Sequence, residues 1–210
     1  MSNNIKDKKG NYMRVKEILS SRYEEVGGYD FYRYIFPNNQ NVGELSENYS
    51  KPNAIYLYRD DEEDPDRTYR RRIMLNNTWE DDYINYVECN YKTLCSGLAY
   101  RGKKNRLENA QQMNSLVFDL DAVGENELEN LLLRMSKQPG LRTLPEPTFI
   151  VMSGTGLHIY YVFDQPVALY PNIKLQMKKL KYDLTFKMWE YKATSKEKQI
   201  QYQSIGSVAK

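Results

Sequence analysis

The chain is poor in the residues that build disulfide and metal-thiolate chemistry. Its 210 residues include two cysteines and one histidine. Cys89, Cys95 and His158 can make neither a disulfide framework nor, by themselves, a four-ligand zinc site. Long apolar runs are missing as well. No stretch approaches the ~20 residues of a membrane-spanning helix, and the start lacks the apolar core of a signal peptide. These absences lead to the expectation of a cytoplasmic chain with no membrane partner and with free thiols. Net charge is nearly absent too, at 30 basic against 28 acidic residues, or +2. Bulk electrostatics therefore neither favours nor excludes nucleic acid, and a local patch would have to attract it.

What is present begins with a hydrophobic share of 40%, enough for a core, and a length that suits one domain or one domain with an appendage. Tyrosine is abundant, at nineteen residues. Tyr packs, hydrogen-bonds or stacks on bases, and for most of these residues half-buried packing is the plainer role.

Residues 1–11 are polar and read as a frayed start. Val15, Ile18, Leu19 and Tyr23 recur at helical spacing over 13–26, closed by Gly27 and Gly28. Strands are expected at 54–59 and 69–75, around an acidic loop at 60–66. A helix is weakly indicated at 79–88, and a strand at 94–100. A basic turn then carries Arg101, Lys103, Lys104 and Arg106. A short helix is expected at 105–113, a strand at 115–121, and a helix at 125–137 with Leu128, Leu131, Leu132 and Met135 on one face. Pro139 and Gly140 stop that helix. Strands at 148–152 and 157–163 flank a glycine turn and complete a β-α-β-β unit. A helix over 171–189 is expected to turn Leu175, Leu180, Leu184 and Met188 inward. Its Lys174, Lys178 and Lys181 share a face, which reads as solvated and only secondarily as a nucleic-acid contact.

Chemistry concentrates in two segments. In the first, Leu116, Phe118 and Leu120 alternate with Val117, Asp119 and Asp121, so both carboxylates lie on one face of a strand. Adjacent like charges repel, and a hard divalent cation with oxygen ligands would relieve the repulsion. The plainer alternative is a pair of acids capping the next helix. In the second segment, Ser153, Gly154, Thr155 and Gly156 allow a close approach of backbone to a ligand, and exposed N–H groups there would suit an anion. Ser153 and His158 would hold phosphate oxygens. Histidine is a poor ligand for Mg²⁺, so it is assigned to phosphate. Taken alone, this segment reads more simply as a hairpin turn followed by a half-buried histidine.

Together, the Asp119-x-Asp121 strand and the later Ser153…His158 element resemble the catalytic signature of the archaeo-eukaryotic primase, or primase-polymerase, superfamily. Segment 97–102 (Gly-Leu-Ala-Tyr-Arg-Gly) also resembles primases of plasmids and integrated elements in Gram-positive bacteria. The resemblance is tight over residues 94–165 and loose elsewhere. It implies an α+β fold, with an RRM-like antiparallel or mixed sheet built on the β-α-β-β unit and flanked by helices. Residues 1–93 would then be the N-terminal part and 94–210 the catalytic core, shortened at its end. It further implies metal-dependent nucleotidyl transfer from nucleoside triphosphates onto a primer on single-stranded DNA. Asp119 and Asp121 would hold Mg²⁺ or Mn²⁺, with His158 as a further catalytic group. Ser153, Gly154, Gly156 and His158 would contact the nucleotide, Arg101, Lys103, Lys104 and Arg106 the template, and a replicative helicase would be a further partner. The chain departs from the pattern at the third acidic motif. Asp164, placed in a turn, and Asp183, placed mid-helix, both read as solvent-facing.

Two rivals stand beside this reading. Segment 118–123 also looks like the nucleophile strand of haloacid-dehalogenase-like phosphatases. Against that, more than a hundred residues precede it, Ala122 stands where glycine is usual, no later paired-acid strand follows a suitably placed lysine, and His158 is left without a role. The other rival is a non-catalytic RRM-like module that binds single strands, with Tyr160 stacking on a base.

Overall fold

The computed structural model describes residues 2–37, 50–58, 69–73, 92–101, 106–136, 138, 140, 143–154 and 156–188, with backbone alone for 2–9, 50–58, 69–73 and 92–94. The fold is mixed α+β. Its helices are α1 (Ser2–Arg22), α2 (Gly28–Ile35), α3 (Glu125–Met135) and α4 (Pro171–Met188). Its strands are β1 (Ser50–Tyr58), β2 (Tyr69–Ile73), β3 (Lys92–Arg101), β4 (Ala110–Asp121), β5 (Phe149–Met152) and β6 (Gly156–Ala168). The segment weakly indicated as a helix at 79–88 and the acidic loop at 60–66 lie outside the described residues, as do Cys89, Lys103 and Lys104. Among the described residues, no helix is long and apolar enough to cross a membrane.

The chain forms two compact units, and neither is a continuous stretch of sequence. One comprises Met1–Glu25, Leu116–Val162 and Leu175–Lys210, and the other Val26–Ser115 and Phe163–Lys174.

In the second unit, β1 pairs antiparallel with β2 and with β3. β3 pairs antiparallel with the start of β4, setting Leu98 opposite Met113 and Ala99 opposite Gln112. This hairpin corrects the sequence-based expectation of a helix at 105–113. Among the described residues, a 3₁₀ turn, Leu107–Asn109, precedes β4, which begins at Ala110. Residues with good helix propensity yield here because a strand can pair with β3 and bury Met113 completely, and pairing outweighs a weak local preference. The short α2 was not anticipated. It follows the glycines expected to close α1, buries Tyr32 and Ile35, and receives a 3.0 Å hydrogen bond from Asn114 Nδ2 to the Ile35 carbonyl.

In the first unit, α1 starts at Ser2 and ends at Arg22, so the expected frayed segment is helical and the helix stops before Tyr23. It buries Val15 and Leu19. Asn11 Nδ2 donates to the Val123 carbonyl at 3.2 Å, tying the helix to the turn after β4. That turn leads into α3, where Glu127 reaches back to accept the Gly124 N–H at 3.1 Å and satisfies one of the donors left open at a helix start. Leu128, Leu131, Leu132 and Met135 are all buried, as the spacing requires. β5 and β6 form a hairpin with Val151 opposite His158 and Met152 opposite Leu157. β6 also neighbours β4. Residue numbers fall along β6 as they rise along β4, since His158 lies by Asp119 and Gly156 by Leu120 and Asp121, so these strands too run antiparallel.

The last helix is oriented differently from the sequence-based expectation. Of the four residues expected inward, Met188 is buried and Leu184 half-buried, but Leu175 is 68% exposed and Leu180 is also exposed, while Lys181 and Thr185 are buried instead. Lys181 is only 2% exposed, and its Nζ lies 6.0 Å from the centre of the Phe118 ring, within reach of a cation–π attraction. Lys181 therefore faces inward with Thr185 and Met188, while Lys174 and Lys178 on the same stripe are only half-buried, so the lysine face is not solvated along its whole length.

Candidate active site

The site forms where β4 and β6 run side by side in the first unit. β4 is hidden on both faces over residues 113–118 and opens again at its end, where Asp119 and Asp121 become partly exposed. Phe118 points to the opposite face and meets Tyr161 edge-on at 5.9 Å. Alternation then places Asp119 and Asp121 together on the other face.

His158 arrives on that face from β6. Its Nε2 lies 3.5 Å from Asp119 Oδ1, with the imidazole 14% and the carboxylate 16% exposed. This is an ion-pair distance rather than a short hydrogen bond, and it becomes an ion pair when the imidazole is protonated. The two chemical segments, far apart in sequence, are thus brought together by strand pairing. Asp121 follows on the same face and is also half-buried.

The glycine turn is a tight hairpin. The Ser153 N–H donates to the Gly156 carbonyl at 3.0 Å, and Gly154 takes a φ of +101°, which an L side chain would resist. One N–H that an anion cradle would use is therefore committed to the hairpin. Ser153 and Gly154 themselves are exposed. Gly156 is buried against the end of β4.

Immediately after Asp121, Ala122 adopts a φ of 54°, the left-handed region that glycine enters without cost. Ala122→Gly is expected to stabilise the protein by about 0.5 kcal/mol, the relief of strain slightly exceeding the entropy lost from a stiffer unfolded chain. Urea-unfolding midpoints of the two proteins measure this.

Of the basic residues expected at the template, Lys103 and Lys104 lie outside the described residues, and Arg101 and Arg106 belong to the second unit. Both arginines are exposed, and Arg106 sits 3.9 Å from Glu108. Both candidates for a third acid are exposed, as expected. Asp164 is an exposed residue within β6 rather than in a turn, because β6 runs on to Ala168, and Asp183 is exposed on α4. Among the described residues, no group of three or more histidine, cysteine, aspartate or glutamate side chains is placed to hold a metal ion. Tyr160 is buried at 2% exposure, so that position offers no open ring for stacking a base. Burial pushes the Cys95 thiol up, away from the reactive thiolate form.

Sequence reasoning missed two buried cations behind the site. Besides Lys181, Arg134 is buried, donating from Nε to Thr143 Oγ1 at 3.1 Å and from its guanidinium to the Lys187 carbonyl. Nothing in the helical periodicity marked either residue as internal. No protein-family model matches the chain, and neither a curated protein nor a solved structure matches it.

Proposed function

We propose that the chain is a metal-dependent nucleotidyltransferase of the DNA primase or primase-polymerase type, acting on nucleoside triphosphates over a single-stranded DNA template. The observation that carries this reading is the 3.5 Å approach of His158 to Asp119 on the face that also bears Asp121. An acidic pair that could hold a divalent cation, next to an imidazole, suits a triphosphate, which needs its charge neutralised on one side and a hydrogen-bond donor on the other. An RRM-like arrangement of β4, α3, β5 and β6 is part of the same proposal.

Asp119 and Asp121 fit a hard divalent cation, because both offer carboxylate oxygens and because such a cation takes its remaining ligands from water and substrate phosphates. Mg²⁺ or Mn²⁺ held there would supply Lewis-acid neutralisation of the triphosphate. The chain's own residues do the rest. Asp119 and Asp121 would hold the cation, and His158, when protonated, would donate to a phosphate oxygen while Asp119 favours its charged form. The exposed Ser153 hydroxyl at the turn is available to the same phosphates. Arg101 and Arg106, with Lys103 and Lys104, would contribute salt-dependent contacts to the template backbone.

Primer synthesis on single-stranded DNA tests the proposal. Product is expected with Mg²⁺ or Mn²⁺ and none with chelator, and nucleotide affinity is expected to rise when the ion is added. Single-strand binding that is indifferent to chelator, with no product, would leave only a binding module. Covalent phosphate trapped on Asp119 would favour a phosphatase instead.

A further inference from the structure

We propose that Gly156 is a positioning residue that sets His158 against Asp119. The register of a sheet can slip, and a slip of one residue moves every side chain to the wrong face. Something must therefore hold β6 to the end of β4 in the one alignment that pairs the imidazole with the carboxylate. Gly156 sits where it can do so. It is the first residue of β6, two positions before His158, and it is buried.

A Cβ built on Gly156 would fall on the Leu120 carbonyl oxygen, far inside van der Waals contact, and 3.0 Å from Asp121 Cα. The obstacle is backbone, so no rotamer change can relieve it. In the native chain, the glycine hydrogen occupies that direction, and a Cα–H to carbonyl contact takes the place of a clash. Any other residue would push the start of β6 away from the acid end of β4, and His158 would retreat with it. Gly154, two residues earlier, differs in kind. It needs glycine for its φ of +101°, yet a Cβ there would meet nothing within 4 Å. One glycine shapes the turn, and the other sets the distance between the two strands.

The catalytic importance of this spacing rests on the nucleotidyltransferase reading, but the spacing itself can be tested without activity. The chain has one histidine, so labelled full-length protein shows a single imidazole signal. In the unsubstituted protein, a nuclear Overhauser contact is expected between Gly156 Hα and Asp121 Hα, and Asp119→Asn is expected to shift the His158 ring resonance. In a Gly156→Ala background, the response to Asp119→Asn is expected to vanish. In a Gly154→Ala background it is expected to persist, although that change also strains the hairpin.

An undiminished response in Gly156→Ala overturns the proposal, and so does a missing Gly156–Asp121 contact in the unsubstituted protein. Should Gly156→Ala fail to fold, that contact decides alone. If the protein synthesises primers, Gly156→Ala is expected to lower the rate by about 100-fold, as an ångström-scale misplacement does elsewhere. If it synthesises none, the function proposed above fails while the coupling of His158 to Asp119 through Gly156 still stands or falls on the spectra.

Discussion

Asparagine at Asp119 is expected to lower metal-dependent primer synthesis by about 10²–10³-fold, the usual loss when one group that stabilises developing charge is removed. The substitution keeps the shape of the side chain and deletes its charge. It removes the anion that faces His158 at 3.5 Å, and with it one of the two carboxylates available to a cation. The fold should survive, because asparagine is isosteric with aspartate and its amide oxygen can still accept a hydrogen bond at that position. His158→Ala should behave differently. It leaves both acids in place and removes a donor to the phosphates, so the nucleotide KM rises more than kcat falls. Steady-state kinetics with varied nucleotide, beside thermal unfolding of each variant, separates these outcomes. An Asp119→Asn protein with unchanged synthesis would end the nucleotidyltransferase reading.

Lys181→Met is expected to stabilise the protein at neutral pH and to abolish a rise in stability that the unsubstituted protein shows in mild alkali. Burial pulls the Lys181 ammonium down from its ordinary value of 10.5 to about 8. Below pH 8 the group is charged in both folded and unfolded states, and the folded state bears the whole cost of burying the charge. Between pH 8 and 10.5 the folded protein releases its proton first, the unfolded chain binds more protons, and stability climbs. The shift amounts to about 3 kcal/mol in all, of which about 2 kcal/mol should emerge between pH 7.5 and 9.5. Cys95 acts in the opposite sense over this range, because burial pushes its thiol up and the unfolded thiol ionises first. The informative quantity is therefore the difference between the two proteins in urea unfolding at each pH. Stopping at pH 9.5 also avoids Tyr161, whose phenol burial pushes up. Methionine fills a similar space against Phe118 without a charge to desolvate. Equal pH profiles for the two proteins would show that the ammonium is not buried as described.

Lys181 also shows where periodicity misleads. On α3, the apolar residues at 128, 131, 132 and 135 were identified and are buried, because one stripe is clearly apolar and the opposite one polar. On α4 the lysines and the apolar residues form two competing stripes, and the structure buries Lys181 and Thr185 beside Met188 while leaving Leu175 and Leu180 exposed. Local spacing could not choose between them, since the choice depends on which stripe fits the surface beneath, where the Phe118 ring receives an ammonium. β4 shows the same limit. Its acidic end was legible from alternation, but its first residues looked helical until pairing with β3 made them a strand.

The sequence by itself determined the pieces of the site. Alternation put Asp119 and Asp121 on one face of a strand, and the glycine turn put His158 at the start of the next hairpin strand, because both are properties of short segments with a fixed period. Only the tertiary structure decided that these segments meet at 3.5 Å, since their meeting depends on the register between β4 and β6, which spacing within either strand does not reveal. It is set where two backbones approach too closely for any side chain, and such an approach exists only once the strands are paired.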